Sequence, residues 1–375
     1  MTTAYLDNAA TTQLRPEVIT EIANVLSEVY GNPSSTHSFG RHAKNILELS
    51  RKSIAARIGC AAQEIIFTSG ATEANNWILK SAIIDLKVKR IITSKIEHHA
   101  VLHAAEKFAE VFPVEVQFVK ITPNGEIDMD HLEALLAEEV PTFVSLMHVN
   151  NEIGTVLDLE KTGNLCRKYN AYFHSDTVQS IGKTVINLHA LPVDFAVASA
   201  HKFHGPKGVG FAYIRKGLLI NPLLFGGEQE KGIRPGTESV HNIAGMAKAL
   251  ELSYADLEKD RTYISGLKEY TLQQLAQKFP GTKINGSREN AFYNILNVCL
   301  PFDAQKTIMI LFHLDMKGIA VSRGSACQSG SSKPSHVLAE MLNEDDIKKP
   351  SLRISFSHYN TKQDVDLLVE ALATL

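Results

Sequence analysis

The sequence predicts an α/β protein in two parts: a large domain on a mostly parallel seven-stranded sheet, and a smaller α+β domain. Three observations carry this. At 375 residues the chain exceeds what one simple core usually organises. Seven short apolar runs alternate with helix-period stretches through its first 214 residues, the pattern of strands covered by helices on both faces. The last third changes rhythm, with a long helical stretch and then two strand patterns among shorter helices.

Taken in order, residues 1–14 read as extended and polar. Pro16 opens an amphipathic helix to about Tyr30, a position where its missing N–H does no harm. Gly31-Asn32-Pro33-Ser34-Ser35 forms a loop, and a second helix follows from about Phe39 to Ile58. The strand patterns are Glu64–Phe67, Arg90–Thr93, Val114–Val119, Thr142–Met147, Ala171–His174, Asp194–Ala198 and Val209–Ile214. One antiparallel member is expected at an edge of that sheet. A helical region runs from Ile243 to Phe279, with Gly266 a point of interruption. Strands at Ala291–Cys299 and Leu352–Ser357 frame helices near Ala304–Met316, Ser335–Leu342 and Thr361–Ala373. Thr361 and Asp364 at the head of the last approximate a capping box. The division is 15–255 for the large domain, and 1–14 with 256–375 for the small one.

Composition narrows the function. The chain is 44% hydrophobic and 21% charged, with a formal net charge of −3 and interspersed signs, so it presents no footprint for nucleic acid. No apolar run approaches a membrane span, and the N-terminus lacks the features of a secretory signal, so a cytoplasmic protein is expected. Cys60, Cys166, Cys299 and Cys327 form no CxxC pair, which argues against a zinc or disulfide framework. Cys166 and Cys299 fall in apolar patterns and read as packed thiols. Cys327 sits instead among small polar residues, in a loop spanning about 321–334.

Four stretches carry chemistry. Ser199-Ala200-His201-Lys202 ends a buried strand, where ligands gather in open α/β sheets, and a neutral lysine amine there can form a Schiff base. Phe67 to Asn76 reads as a strand, a glycine turn and a helix start, whose free N–H groups suit a phosphate near Ala71 and Thr72; Ser69 as an ordinary cap is the alternative. Asp176 at a strand end can partner a cationic ring nitrogen or merely cap the next turn. His99 and His103 lie at i, i+4, but no third metal ligand accompanies them, whereas His98 can stack on an aromatic cofactor.

Nine stretches, in order along nearly the whole chain, resemble the NifS/IscS-type cysteine desulfurases of the class V aminotransferase superfamily. They are Leu6–Thr12, Gly31–Ser35, Ser69–Asn76, Glu97-His98, Met147–Gly154, Asp176–Gln179, Ser199–Lys202, Arg234–Glu238 and Gly324–Cys327. The resemblance implies fold type I and pyridoxal 5'-phosphate (PLP) as cofactor. Lys202 would hold PLP and shuttle protons, Asp176 would pair with the ring nitrogen, Gln179 with the ring hydroxyl, and His98 would stack on the ring. Ala71, Thr72, Ser199 and His201 would bind the phosphate. Thr237 would reach the phosphate of a neighbouring subunit in a homodimer. Asn150 and Arg353 would hold the carboxylate of L-cysteine. Cys327 would take the sulfur as a persulfide, leaving alanine, and pass it to an acceptor protein.

Iron–sulfur supply is the leading expectation. The chain stops at Ala373-Thr374-Leu375, without the extension by which IscS-like members dock a scaffold, so tRNA- or cofactor-thiolation proteins are the alternative acceptors. Arg323 and Gln328 depart from the usual residues of the Cys loop. Selenocysteine lyase chemistry, or a PLP-binding assembly platform, are the competing readings.

Overall fold

A computed structural model describes residues 3–324 and 334–375. The seven expected strands form one sheet: β2 (Ile65–Thr68), β3 (Arg90–Thr93), β4 (Glu115–Phe118), β5 (Thr142–Ser145), β6 (Tyr172–Asp176), β7 (Phe195–Ser199) and β8 (Gly210–Ile214). They follow a two-residue strand β1 (Ala4–Tyr5), and their order across the sheet is β2-β8-β7-β6-β5-β3-β4.

Their apolar runs are continuous because both faces are covered. On β7 the side chains alternate between two cores. Ala196 and Ala198 join Leu47, Ile54 and Met246 on one side, while Phe195 and Val197 join Trp77, Ile78 and Val101 on the other. The helices Ser38–Arg57 and Val240–Ala255 supply the first face, and Ala71–Ile84 and His99–Val111 the second.

The antiparallel member is not at the edge. It is β8, which pairs antiparallel with both β7 and β2, so the edge strand β2 runs parallel to β7. The connection from Ser199 to Gly210 is too short for the helical crossover a parallel neighbour needs. Gly210 makes this close approach possible. A Cβ there would lie 2.2 Å from the Ala198 oxygen and 2.9 Å from Gly70 Cα.

The C-terminal residues build a second sheet, β12-β10-β9, from β9 (Lys283–Ile284), β10 (Ile295–Cys299) and β12 (Ser351–Ser355). A further strand, β11 (Ile319–Ala320), pairs with β1. Ala4 and Leu6 share a hydrophobic core with Leu267, Val298, Ile354 and Leu368. The chain's first residues therefore pack with its last.

Between the two helices Val240–Ala255 and Leu257–Lys278 the break falls at Asp256 rather than Gly266. Asp256 and Asp260 are both drawn to Arg15, at 2.6 and 3.2 Å. Gly266 lies inside the second helix. Thr361 and Asp364 do form a capping box on the helix Lys362–Ala373. Cys166 and Cys299 are buried, and burial raises both thiols above their ordinary range.

Candidate active site

Strands β2, β3, β5, β6 and β7 run in the same direction, so the turns after them lie along one edge of the sheet. Those turns, the strip at Ala9-Ala10 and Arg353 of β12 enclose a cavity of about 230 Å³. Lys202, Asp176, Gln179, His98, Ala71, Thr72, Ser199, His201 and Arg353 all border it. Residues separated by up to 344 positions in sequence meet there, because parallel strands deliver their carboxyl ends to a common edge and the N-terminal strip and β12 close over it.

Each functional group is held by its neighbours. Lys202 Nζ donates to the carbonyl oxygens of Ala9 and Ala10, each at 2.8 Å. Asp176, 7% exposed, accepts from Val178 N at 3.0 Å with one oxygen and from Asn75 Nδ2 at 2.8 Å with the other. It is both a turn cap and a carboxylate facing the cavity, so the two expectations for it coincide. Gln179 donates from Nε2 to Ala9 O at 2.9 Å, and its Oε1 accepts from Lys183 Nζ at 3.0 Å.

His98 is the N-cap of the helix His99–Val111, and its Nδ1 accepts from Ala100 N at 3.1 Å. Burial lowers its pKa, against the opposing pull of Asp176, so the ring is neutral and carries its proton on Nε2. His201 is likewise pushed down, to about 3, by burial and then by Lys202. Beneath His98, Glu97 is fully enclosed, its Oε1 accepting from Met147 N at 2.7 Å. Burial raises that carboxyl well above its ordinary value, with the charge of Asp176 adding to the rise.

Gly70, at a φ of 153°, stands at the N-cap of the helix Ala71–Ile84 and has no side chain with which to cap it. Ser69 does not cap this helix. Its own N–H donates to Glu73 Oε2 at 2.7 Å. Ser199 Oγ accepts from Ala71 N at 2.8 Å, and the next N–H groups of the first turn have no intrahelical acceptor. Beside Thr72, His201 and Ser199, that turn suits a phosphate.

Arg353, 1% exposed, forms an ion pair with Asp7 Oδ1 at 2.8 Å and donates to Asn151 O at 3.0 Å, while its buried Nε has no partner. The charge set fits PLP: a carboxylate for a ring nitrogen, a neutral imidazole, a lysine amine and a helix start for phosphate.

Three expected residues are not brought into this cavity. Asn150 is a correction: its amide builds a turn, donating to Ile96 O at 2.9 Å and accepting from the N–H groups of Glu152 and Ile153 at 2.9 and 3.1 Å. Its neighbour Asn151 borders the cavity instead. Thr237 is exposed, ahead of the helix Val240–Ala255, and does not border the cavity of its own chain. Cys327 and Gln328 lie outside the described residues, and Arg323, half-buried, is at their margin.

The sequence reading assigned no role to Asn75 or Asp7. Asn75 follows Ala71 by four positions, which places both on one helix face, a signal legible in the motif. Asp7 carried no such signal, since only the folding of the N-terminal strip beside β12 sets it against Arg353.

With this geometry in place, comparison with known proteins decides the family. A profile of the aminotransferase class-V family matches residues 4–368. The chain belongs to that family. It is 41% identical over 370 residues to the cysteine desulfurase IscS of Dictyoglomus turgidum, covering 98% of this chain and 93% of that protein. Among solved structures it resembles a NifS-like protein with a TM-score of 0.91 and 36% identity, covering 100% of this chain and 99% of the other. It also resembles SspA in complex with cysteine, with a TM-score of 0.81 and 30% identity over 96% of this chain and 100% of that one. The fold is that of the NifS-like PLP enzymes.

Proposed function

We propose that this chain is a PLP-dependent cysteine desulfurase, converting L-cysteine to L-alanine and holding the released sulfur as a persulfide on Cys327. The observation that carries this is the single cavity where Lys202, Asp176, His98 and Arg353 converge, in a chain similar end to end to proteins named cysteine desulfurases.

PLP, when bound, supplies an electron sink conjugated to the substrate Cα. Lys202 Nζ would anchor the cofactor and, once released from it, would take the proton from the substrate Cα and return protons to Cβ and Cα. Asp176 keeps a proton on the ring nitrogen, and Asn75 holds that carboxylate in place. Gln179 meets the ring hydroxyl. Ala71, Thr72, Ser199 and His201 hold the phosphate. His98, neutral and with its proton on Nε2, covers the ring and serves as acid–base partner at the substrate.

Arg353 orients the substrate carboxylate as a planar fork, with Asn151 in the place first expected of Asn150. Asp7 keeps the guanidinium aimed when no substrate is present. Cys327 then attacks the substrate sulfur as thiolate, so L-cysteine plus the thiol become L-alanine plus the persulfide. Cytoplasmic placement accords with this reaction, since a free thiol must persist between turnovers.

We further assign residues 15–255 to the cofactor-binding domain and the remainder to a smaller domain. The active unit is a homodimer in which Thr237 reaches the partner's phosphate, and the sulfur passes to an iron–sulfur or thiolation protein. A monomeric mass by light scattering would remove the dimer.

The deciding assay measures alanine and sulfide from L-cysteine with PLP and a dithiol. Wild type forms both, and Cys327→Ala retains its cofactor spectrum while losing both. Equal activity in the variant would sink the persulfide route.

A further inference from the structure

A second cavity, at about 740 Å³ larger than the first, is bordered by residues of the 261–297 segment and by Lys183 and His148. Its charges are arranged unlike those elsewhere in the chain. Lys183 and Lys268 are 7% and 9% exposed, and both border it. Each ammonium meets a neutral oxygen: Lys183 Nζ donates to Gln179 Oε1 at 3.0 Å, and Lys268 Nζ to the Phe292 carbonyl at 2.8 Å.

Neither lysine forms an ion pair among the described residues. The buried arginines Arg15, Arg51, Arg90 and Arg353 each face a carboxylate. Burying a charge without a counter-charge is unfavourable, and burial accordingly lowers Lys183 to about 7 and Lys268 to about 8. The ring of His148 adds a buried Nδ1 without a partner. Exposed Arg261 and Arg288 border the same space, and the nearby acids, Glu269 and Glu289, are exposed as well. The two buried amines therefore lie in a partly apolar cavity, with no carboxylate against either of them among the described residues.

We propose that this cavity binds a small multiply charged anion, a di- or tricarboxylate or a phosphate ester, with Lys183 and Lys268 as its buried cationic contacts. The anion supplies the counter-charge that the described residues do not provide, and it stabilises the protonated form of both amines. It also lies one hydrogen bond from the first cavity. Gln179 borders that cavity and accepts from Lys183, so an anion that draws Lys183 Nζ away releases Gln179 Oε1. The two sites are then linked through one amide.

The test uses the PLP-loaded protein freed of excess cofactor. Thermal melts and titration calorimetry are run with citrate and with inorganic pyrophosphate, against chloride of equal ionic strength. A rise in Tm of roughly 2–5 °C is expected near saturation with at least one anion. Binding is expected to weaken at least tenfold in Lys268→Met, with unchanged turnover of L-cysteine in the absence of added anion. Melts without anion report whether that variant folds. Should it not, the double variant Arg261→Gln, Arg288→Gln, confined to exposed side chains, is expected to weaken binding severalfold.

A response to citrate alone assigns the carboxylate class, and one to pyrophosphate alone the phosphate class. No response to either anion beyond chloride overturns the proposal. So does an equal response in wild type and variants, which would place the anion elsewhere, for instance at the helix start beside Thr72.

Discussion

Asp176 divides its two oxygens between a backbone N–H and the amide of Asn75, which fixes the carboxylate without neutralising it. Replacing it by Asn preserves the shape and removes the charge. An opposite charge at contact moves a pKa by about 1–3 units. Asp176→Asn is therefore expected to lower kcat roughly 10–1000-fold while PLP remains bound, read by steady-state kinetics beside the cofactor absorption band. An unchanged kcat would refute its pairing with the ring nitrogen. Asn150 and Asn151 teach the complementary lesson at this scale. Adjacent and chemically identical, they were indistinguishable in sequence. The turn consumed one amide and presented the other to the cavity, so only backbone direction separates their roles.

Among the elements, β7 and β8 with the ten-residue connection between them matter most, because they place Ser199, His201 and Lys202. The obstructing atoms around Gly210 are backbone on two sides, so they cannot rotate away. Gly210→Ala is expected to destabilise the protein by roughly 3 kcal/mol and to loosen the cofactor, seen in urea unfolding and cofactor retention. Gly266 predicts the reverse. It lies inside the helix Leu257–Lys278 with nothing within 4 Å of an added Cβ. Gly266→Ala should raise stability by about 0.5–1 kcal/mol, and a lower urea midpoint would show that the helix needs glycine there. The sequence marked Gly266 as a break because glycine disfavours helices. Tertiary pairing of Arg15 with Asp256 and Asp260 accompanies the break ten residues earlier.

At the scale of the whole molecule, stability is tied to buried groups held neutral. Burial lowers His148 and His174 from 6.5 to about 4, and His201 and His204 to about 3. The unfolded chain binds protons at these positions as pH falls through 6.5, whereas the folded chain does so only below about 4. Their contribution is full above 6.5 and is lost as the pH falls toward the folded values. For His174, wholly enclosed, the shift corresponds to roughly 3 kcal/mol over that window. Lys183 and Lys268, also lowered, act in the same direction at higher pH. Glu97, raised, opposes them in acid. Urea midpoints should fall between pH 7 and pH 5, above the range where most carboxylates titrate. A flat profile that stays flat in Glu97→Gln, where the opposing carboxyl is gone, would mean these histidines are not neutral in the fold.

The amino-acid order by itself determined which segments became the seven strands of the large sheet, because a short apolar run such as Phe195–Ala198 is satisfied in a sheet covered on both faces, whereas the two-residue strands β9 and β11 carried no such run. It also determined the chemistry available, since the lysine, aspartate, histidine and helix-start residues stand in recognisable local patterns. Pairing was decided only in three dimensions. The place of β8 inside the sheet, the docking of the N-terminal strip against β12, the meeting of Asp7 with Arg353 and the buried lysines around the second cavity all join residues far apart in the chain. Local periodicity carries no record of such contacts, which follow from how the two cores close on one another.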